Sequence, residues 1–134
     1  MLPHTLRLRS KEIRYLTKKR QYFCKGLFGF FYSKQYPNLT FHQFSCHITI
    51  KLSKHATSRN FIKRLVMNIL RDKNANQLAI GGNFYKIFIV LNKNTLLPLQ
   101  QLLTEKKKAE AKKYLLPAFS SAFTSFQSFL CSKN

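Results

Sequence analysis

Between Lys51 and Arg71 the chain places Lys51, Lys54, Arg59, Asn60, Lys63, Arg64 and Arg71 without one intervening acid. Cations and an amide in this density do binding chemistry, donating charge and hydrogen bonds to phosphate oxygens. Thr57 or Ser58 can cap a helix. Ile62, Leu65, Val66, Ile69 and Leu70 then recur at i, i+3, i+4, i+7 and i+8 as one apolar stripe. Asn60, Arg64 and Arg71 project from the opposite face, with Lys63 beside them. Cations near the first turn oppose the helix dipole at a cost of roughly 0.3–1 kcal/mol each, so an external anion is expected to compensate them. The ordinary reading of a charge run is a solvated face; the N-terminal placement points instead to phosphate.

Composition supports a polyanionic partner. The chain has 134 residues, with 24 Lys and Arg against 4 Asp and Glu, a formal charge of +20. Self-repulsion on that scale burdens an isolated fold, and nucleic acid, then anionic membrane, are the partners that relieve it. The bases are spread along the chain, and 45% of residues are apolar, enough for one small core and too many for a disordered basic arm. Cys24, Cys46 and Cys131 lack CxxC spacing and form no zinc pattern with His4, His42, His47 and His55. A reduced compartment without a protein-bound metal is the expectation. The start of the chain lacks a signal-peptide core, and no run approaches a membrane span of roughly 20 apolar residues. A soluble, unprocessed cytoplasmic protein is expected.

The positioning elements follow from periodicity. Ser10 can cap a first helix through Ile13, Leu16 and Thr17, ending in Lys18, Lys19 and Arg20, where cations suit the dipole. Leu27 to Ser33 reads as a strand with Phe28, Phe30 and Tyr32 on one side. Those three rings can stack single-stranded bases or pack a core, and the residues alone do not choose. Phe44, Cys46, Ile48 and Ile50 alternate with Ser45, His47, Thr49 and Lys51, a half-buried strand with His47 on its polar side. Phe84 to Leu91 suits an interior strand, so strand, helix and strand imply a crossover. Leu99, Leu102 and Leu103 begin another helix, continued through Glu105 to Tyr114. Pro117 can open a last helix with Phe119, Phe123, Phe126 and Leu130 along one side. The division expected is one domain over 1–116 and a Phe-rich helical extension over 117–134.

In this order and spacing the chain resembles the bacterial ribonuclease P protein component, marked by a cation-rich approach into an Arg-Asn-Arg-x-Lys-Arg helix. Lys51 begins the approach, and Arg59, Asn60, Ile62, Lys63 and Arg64 match the hallmark. Arg7, Leu8, Glu12 and Ile13 match the family's opening, and Tyr85 to Leu91 its fourth strand. Phe61 stands where the hallmark has its second arginine, Leu52 replaces a lysine, Lys54 a glycine, and Asn92, Lys93 and Asn94 an Arg-Pro-Lys turn. On helical geometry Phe61 lies on a flank, able to stack on a base or sugar.

The resemblance implies an α/β (α+β) two-layer sandwich. Its central mixed sheet has about four strands, is covered by helices and contains a left-handed βαβ crossover, like the second domain of a small-subunit ribosomal protein. It also implies the non-catalytic protein subunit of an endonuclease that removes the 5′ leader of precursor tRNA. The chemistry then belongs to magnesium ions held by the RNA subunit. Its partners are ribonuclease P RNA and precursor tRNA, with no membrane and no required oligomer. RNA contact is expected at Lys51, Lys54, Arg59, Asn60, Phe61, Lys63, Arg64 and Arg71, and a leader cleft at Ile13, Phe28, Phe30, Tyr32 and His47. No catalytic constellation is evident. A ribosomal or other structural RNA-binding protein shares the charge and aromatic content and stays open as an alternative. A membrane-surface protein would require cations beside the final apolar helix, which has few.

Overall fold

The computed structural model describes residues 7–19 and 21–133. Arg20, expected to close the first basic run, and His4 lie outside the described residues. Apolar spacing and the terminal lysines make α1 (Ser10–Lys19). A two-residue turn at Gly26, whose φ of 59° suits glycine, joins β1 (Tyr22–Lys25) to β2 (Phe28–Lys34). Then come β3 (Gln43–Cys46), α2 (Ala56–Asp72), β4 (Tyr85–Leu91), α3 (Leu97–Thr104) and α4 (Lys108–Lys133). The sheet order is β1-β2-β4-β3; β3 and β4 pair in parallel and the other neighbours antiparallel. The chain crosses from β3 to β4 through α2, so this helix packs against the sheet and its approach loop lies at one end of it.

Two expected boundaries move. β3 ends at Cys46, and Ile50, read as a packed strand residue, is 66% exposed. The helix expected to run from Leu99 past Glu105 is broken: Lys106 takes a left-handed φ of 59°, while the N–H groups of Lys106 and Lys107 close back on the carbonyls of Leu103 and Leu102. α4 then starts at Lys108 and runs through Pro117, which lies inside the helix rather than opening it. Residues 117–133 of the segment expected as an extension thus continue a helix that begins at Lys108.

That helix decides which sheet face is buried. Phe119, Phe123 and Phe126 lie on Phe28 and Phe30: the Phe28 and Phe119 centroids are 5.0 Å apart edge to face, and Phe30 stacks on Phe126 at 4.5 Å. Phe123 also reaches Phe44 of β3, and Phe126 and Phe129 meet Tyr32. Ile62, Val66, Met67 and Leu70 of α2 and Leu99 and Leu103 of α3 complete this core. On the opposite face lies α1, Leu16 fully buried in a cluster with Leu8 and Phe88, and Ile13, Phe31 and Val90 packed around it.

His42 locks the edge of the sheet. Its Nε2 donates to the Leu78 carbonyl at 2.7 Å, and its Nδ1 accepts from the Tyr85 N–H at 2.9 Å, so the partners require the Nε2-protonated imidazole. Burial holds its pKa below the ordinary 6.5, opposed by the hydrogen bond to Leu78. A second proton would set a donor against the Tyr85 donor. The folded pKa is depressed, so the stabilisation is complete above the unfolded value of about 6.5 and is lost as pH falls through the folded value. The melting temperature is therefore expected to fall on acidification from pH 7 to 5, and His42→Gln to flatten that dependence while lowering stability at pH 7. Phe126→Ala, which empties the centre of the aromatic seam, is expected to cost about 3–5 kcal/mol in chemical denaturation.

Candidate nucleic-acid interface

α2 begins earlier than the cap residues Thr57 and Ser58 suggest. The Arg59 N–H bonds the His55 carbonyl at 3.2 Å, which makes His55 the N-cap and places Thr57 and Ser58 inside the first turn. His55 supplies no side-chain cap and the first turn holds no acid, so the positive end of a 17-residue helix faces out uncompensated. Beside it lies a cavity of about 660 Å³ lined by Ser53, Lys54, Thr57 and Ser58, with Lys106 and Lys108 across from them. Gln100 Nε2 donates to the Lys51 carbonyl at 3.1 Å, tying the approach loop to α3. Exposed Lys51 and Lys54 are thereby carried next to the helix start.

The cations of α2 divide by direction. Asn60 and Arg64 are exposed. Arg59 is half-buried, its Nη1 donating to the Ser53 carbonyl at 2.9 Å, so it braces the loop as well as adding charge. Lys63, expected beside the outer row, is half-buried and lines a 450 Å³ cavity with Arg7, Arg9 and Ile13. It is near enough to Cys46 to oppose the burial that pushes that thiol up to about 12. Arg71 is separated from the group: it lies about 18 Å along the axis from Arg59 at 1.5 Å per residue, and its guanidinium meets Asp72 at 3.3 Å. Phe61 is half-buried against the core, with Lys108 Nζ 5.5 Å from its ring centroid, so one ring face is already held by a cation.

The expected cleft residues do not share a face. Phe28, Phe30 and Tyr32 are 0%, 0% and 4% exposed beneath α4, and they cannot meet a base. Their alternates do the lining: Phe31 with Tyr22, Phe88, Val90 and the exposed His47 border a cavity of about 620 Å³ on the α1 side. The His47 N–H bonds the Ile89 carbonyl at 2.9 Å and so extends the sheet edge to this point. Ile13 is on the same side, beside Leu16. Tyr22, Phe31, Phe88 and Val90 were missed by sequence reasoning, although Gly29 carried a signal. A β-carbon at Gly29 would collide with the Tyr22 ring, which lies across it 4.7 Å from Phe31. Burial, with the Cys24 side chain beside it, pushes the Tyr22 phenol up to about 12, so it remains a neutral aromatic at physiological pH.

A basic helix start beside an aromatic cleft is an arrangement for RNA, with phosphates on one part and bases on the other. The sequence matches the family model described as Ribonuclease P over residues 2–114. The chain belongs to the ribonuclease P protein family. Its fold is similar to the RNase P protein from Thermotoga maritima in complex with 1-(4-fluorophenyl)-2-thiourea, at 20% identity and a TM-score of 0.58, over 83% of this chain and 94% of that one. It is also similar to the Staphylococcus aureus RNase P protein, at 15% identity and a TM-score of 0.56, over 85% and 97%. Another Thermotoga maritima RNase P protein structure matches at 19% identity and a TM-score of 0.58, over 83% and 92%. No curated protein matches the sequence.

Family membership makes this the protein subunit of the ribonuclease P endonuclease, working in tRNA 5′ processing with an RNA partner. The fold agrees with the α+β expectation of a four-stranded mixed sheet and helices. Among the described residues no cluster of His, Cys, Asp or Glu could hold a metal ion, and no helix is long and apolar enough to cross a membrane. Gly29→Ala is expected to displace the Tyr22 ring rather than unfold the sheet, because the obstructing atoms end a movable side chain. The measurable result is weakened binding of single-stranded RNA with a melting temperature near that of the wild type; unchanged binding would remove Tyr22 from the cleft.

Proposed function

We propose that the chain binds the catalytic ribonuclease P RNA through the start of α2 and holds the 5′ leader of precursor tRNA along the α1 side of the sheet. The observation that carries this reading is the uncapped, acid-free N-terminus of α2, with Lys51, Lys54, Asn60 and Arg64 around it. Lys63 continues the positive charge toward Arg7 and Arg9, so the phosphate row and the aromatic cleft meet at α1. Phosphate contacts of this kind supply affinity and register, whereas the rings accept bases without strong sequence preference.

Bond cleavage falls to magnesium ions held by the RNA. The protein has four acids in all; Asp72 pairs with Arg71, and Glu105 and Glu110 both lie within reach of Lys107. Its contribution is to offset phosphate repulsion between leader and catalytic RNA, an electrostatic effect that matters most when magnesium is scarce. A cytoplasmic location goes with this role.

The deciding measurement is processing of precursor tRNA at low magnesium. The protein alone should leave the substrate intact, and addition of cognate ribonuclease P RNA should restore 5′ cleavage; no stimulation of that RNA would defeat the reading. In RNA-binding titrations, Asn60→Ala with Arg64→Ala and Lys63→Ala should lower the salt slope by about one unit for each phosphate no longer neutralised, roughly two in total. Circular dichroism should remain native, because the buried stripe of α2 is untouched. A wild-type slope would make those cations ordinary solvated surface.

A further inference from the structure

α1 crosses the sheet and leaves a space on each side. Ile13 and Thr17, one turn apart, face the cavities described above. Lys11, Glu12, Tyr15 and Lys19 occupy the other flank and border a separate cavity of about 790 Å³ at the opposite end of the sheet. Its floor is Lys86 of β4, in register with Ser33 of β2 and Gln43 of β3. Lys34 and Tyr36 close the far wall.

Lys86 is an unusual floor. Its residue is 4% exposed, and none of the ion pairs among the described residues includes it. What faces its ammonium is aromatic: the Tyr36 centroid lies 4.4 Å from Nζ and the Tyr15 centroid 5.2 Å. Burying a cation without a carboxylate is costly, and two ring faces offset part of that cost. The consequence for the rings is geometric. Tyr36 is anchored by this ammonium and is 52% exposed, so a large part of its ring remains open to a flat partner; Tyr15 is 50% exposed and carries, besides Lys86, the Lys19 ammonium, whose Nζ lies 5.6 Å from its centroid. Lys19 and Lys34 stand at the same opening, and Arg9 lines both this cavity and the one containing Lys63. Positive charge therefore continues from α2 across the start of α1 into this pocket.

We propose that this pocket binds a nucleotide of single-stranded RNA, with its base stacked on Tyr15 or Tyr36 and its phosphates at Lys19 and Lys34. The inference rests on the RNA-binding reading above but assigns a contact outside both the α2 row and the Tyr22–Phe31 cleft. An acidic peptide would satisfy the lysines and leave both rings unused, whereas a nucleotide uses charge and ring together.

The chain has no tryptophan, so Tyr36→Trp in the full-length protein gives a single reporter at the pocket. Titration with an eight-nucleotide single-stranded RNA should quench it, and polyglutamate of matched charge should not. Tyr15→Ala with Tyr36→Ala should weaken oligonucleotide binding about fivefold to a hundredfold with an unchanged salt slope, as the removal of stacking requires. Lys19→Ala with Lys34→Ala should lower the slope by about two. Absence of quenching, equal quenching by polyglutamate, or wild-type affinity in the double tyrosine variant would overturn the proposal. Reconstituted tRNA processing with the wild-type protein separates the two failures: stimulation without a pocket effect removes only this site, and no stimulation removes the underlying reading.

Discussion

The packing of the α4 phenylalanines on β2 is the contact from which the rest of the structure follows. Phe119, Phe123 and Phe126 cover Phe28 and Phe30, and this single aromatic seam assigns one face of the sheet to the interior. Once that face is closed, the alternate residues of β2 and β4 must point the other way, where, among the described residues, Leu8 and α1 pack on them. A narrow helix cannot shield a four-stranded sheet, so open space remains on both of its flanks. The cleft with Tyr22 and Phe31 and the pocket with Tyr15 and Tyr36 are both products of that mismatch in width.

Charge follows the same division. The large core cluster holds no Asp, Glu, Lys or Arg, whereas cations gather at the α2 start, at Arg7 and Arg9, and around α1. The three ion pairs among the described residues are exposed and spend Asp72, Glu105 and Glu110 on neighbours close in the chain. Such pairs stabilise a surface little. They leave the cations at the α2 start and around α1 uncompensated, which suits a protein of net charge +20 with an RNA partner. Lys86 shows how the fold tolerates even a buried cation by placing it between tyrosine rings.

Much of this was legible in the residues, and the exceptions have identifiable causes. α1 and α2 were readable because their apolar positions recur at helical spacing. The cation run could be placed at a helix start because its stripe begins at Ile62. The cleft face of β2 was not readable, since Leu27 to Tyr32 are all apolar or glycine and polar alternation, the usual guide to a strand's outer side, is absent. Gly29 was the one asymmetric position, and its meaning depends on Tyr22 lying over it from the neighbouring strand. The break at Lys106 was hidden for a different reason: a left-handed lysine between two helical stretches has no compositional mark.

What the sequence determined by itself was therefore one-dimensional: net charge, helical and strand periods, and the order of cationic and apolar segments that the ribonuclease P family shares. Those quantities depend on neighbours along the chain. Which aromatic face is open, that Lys63 is half-buried beside Arg7 and Arg9 while Arg64 stays exposed, and that Tyr15 and Tyr36 meet over one ammonium were decided only by tertiary structure. Each joins residues from separate elements, and side-chain burial depends on what lies across the sheet. For β2 that is α4, the last helix of the chain, separated from it in sequence by two strands' worth of pairing and two other helices.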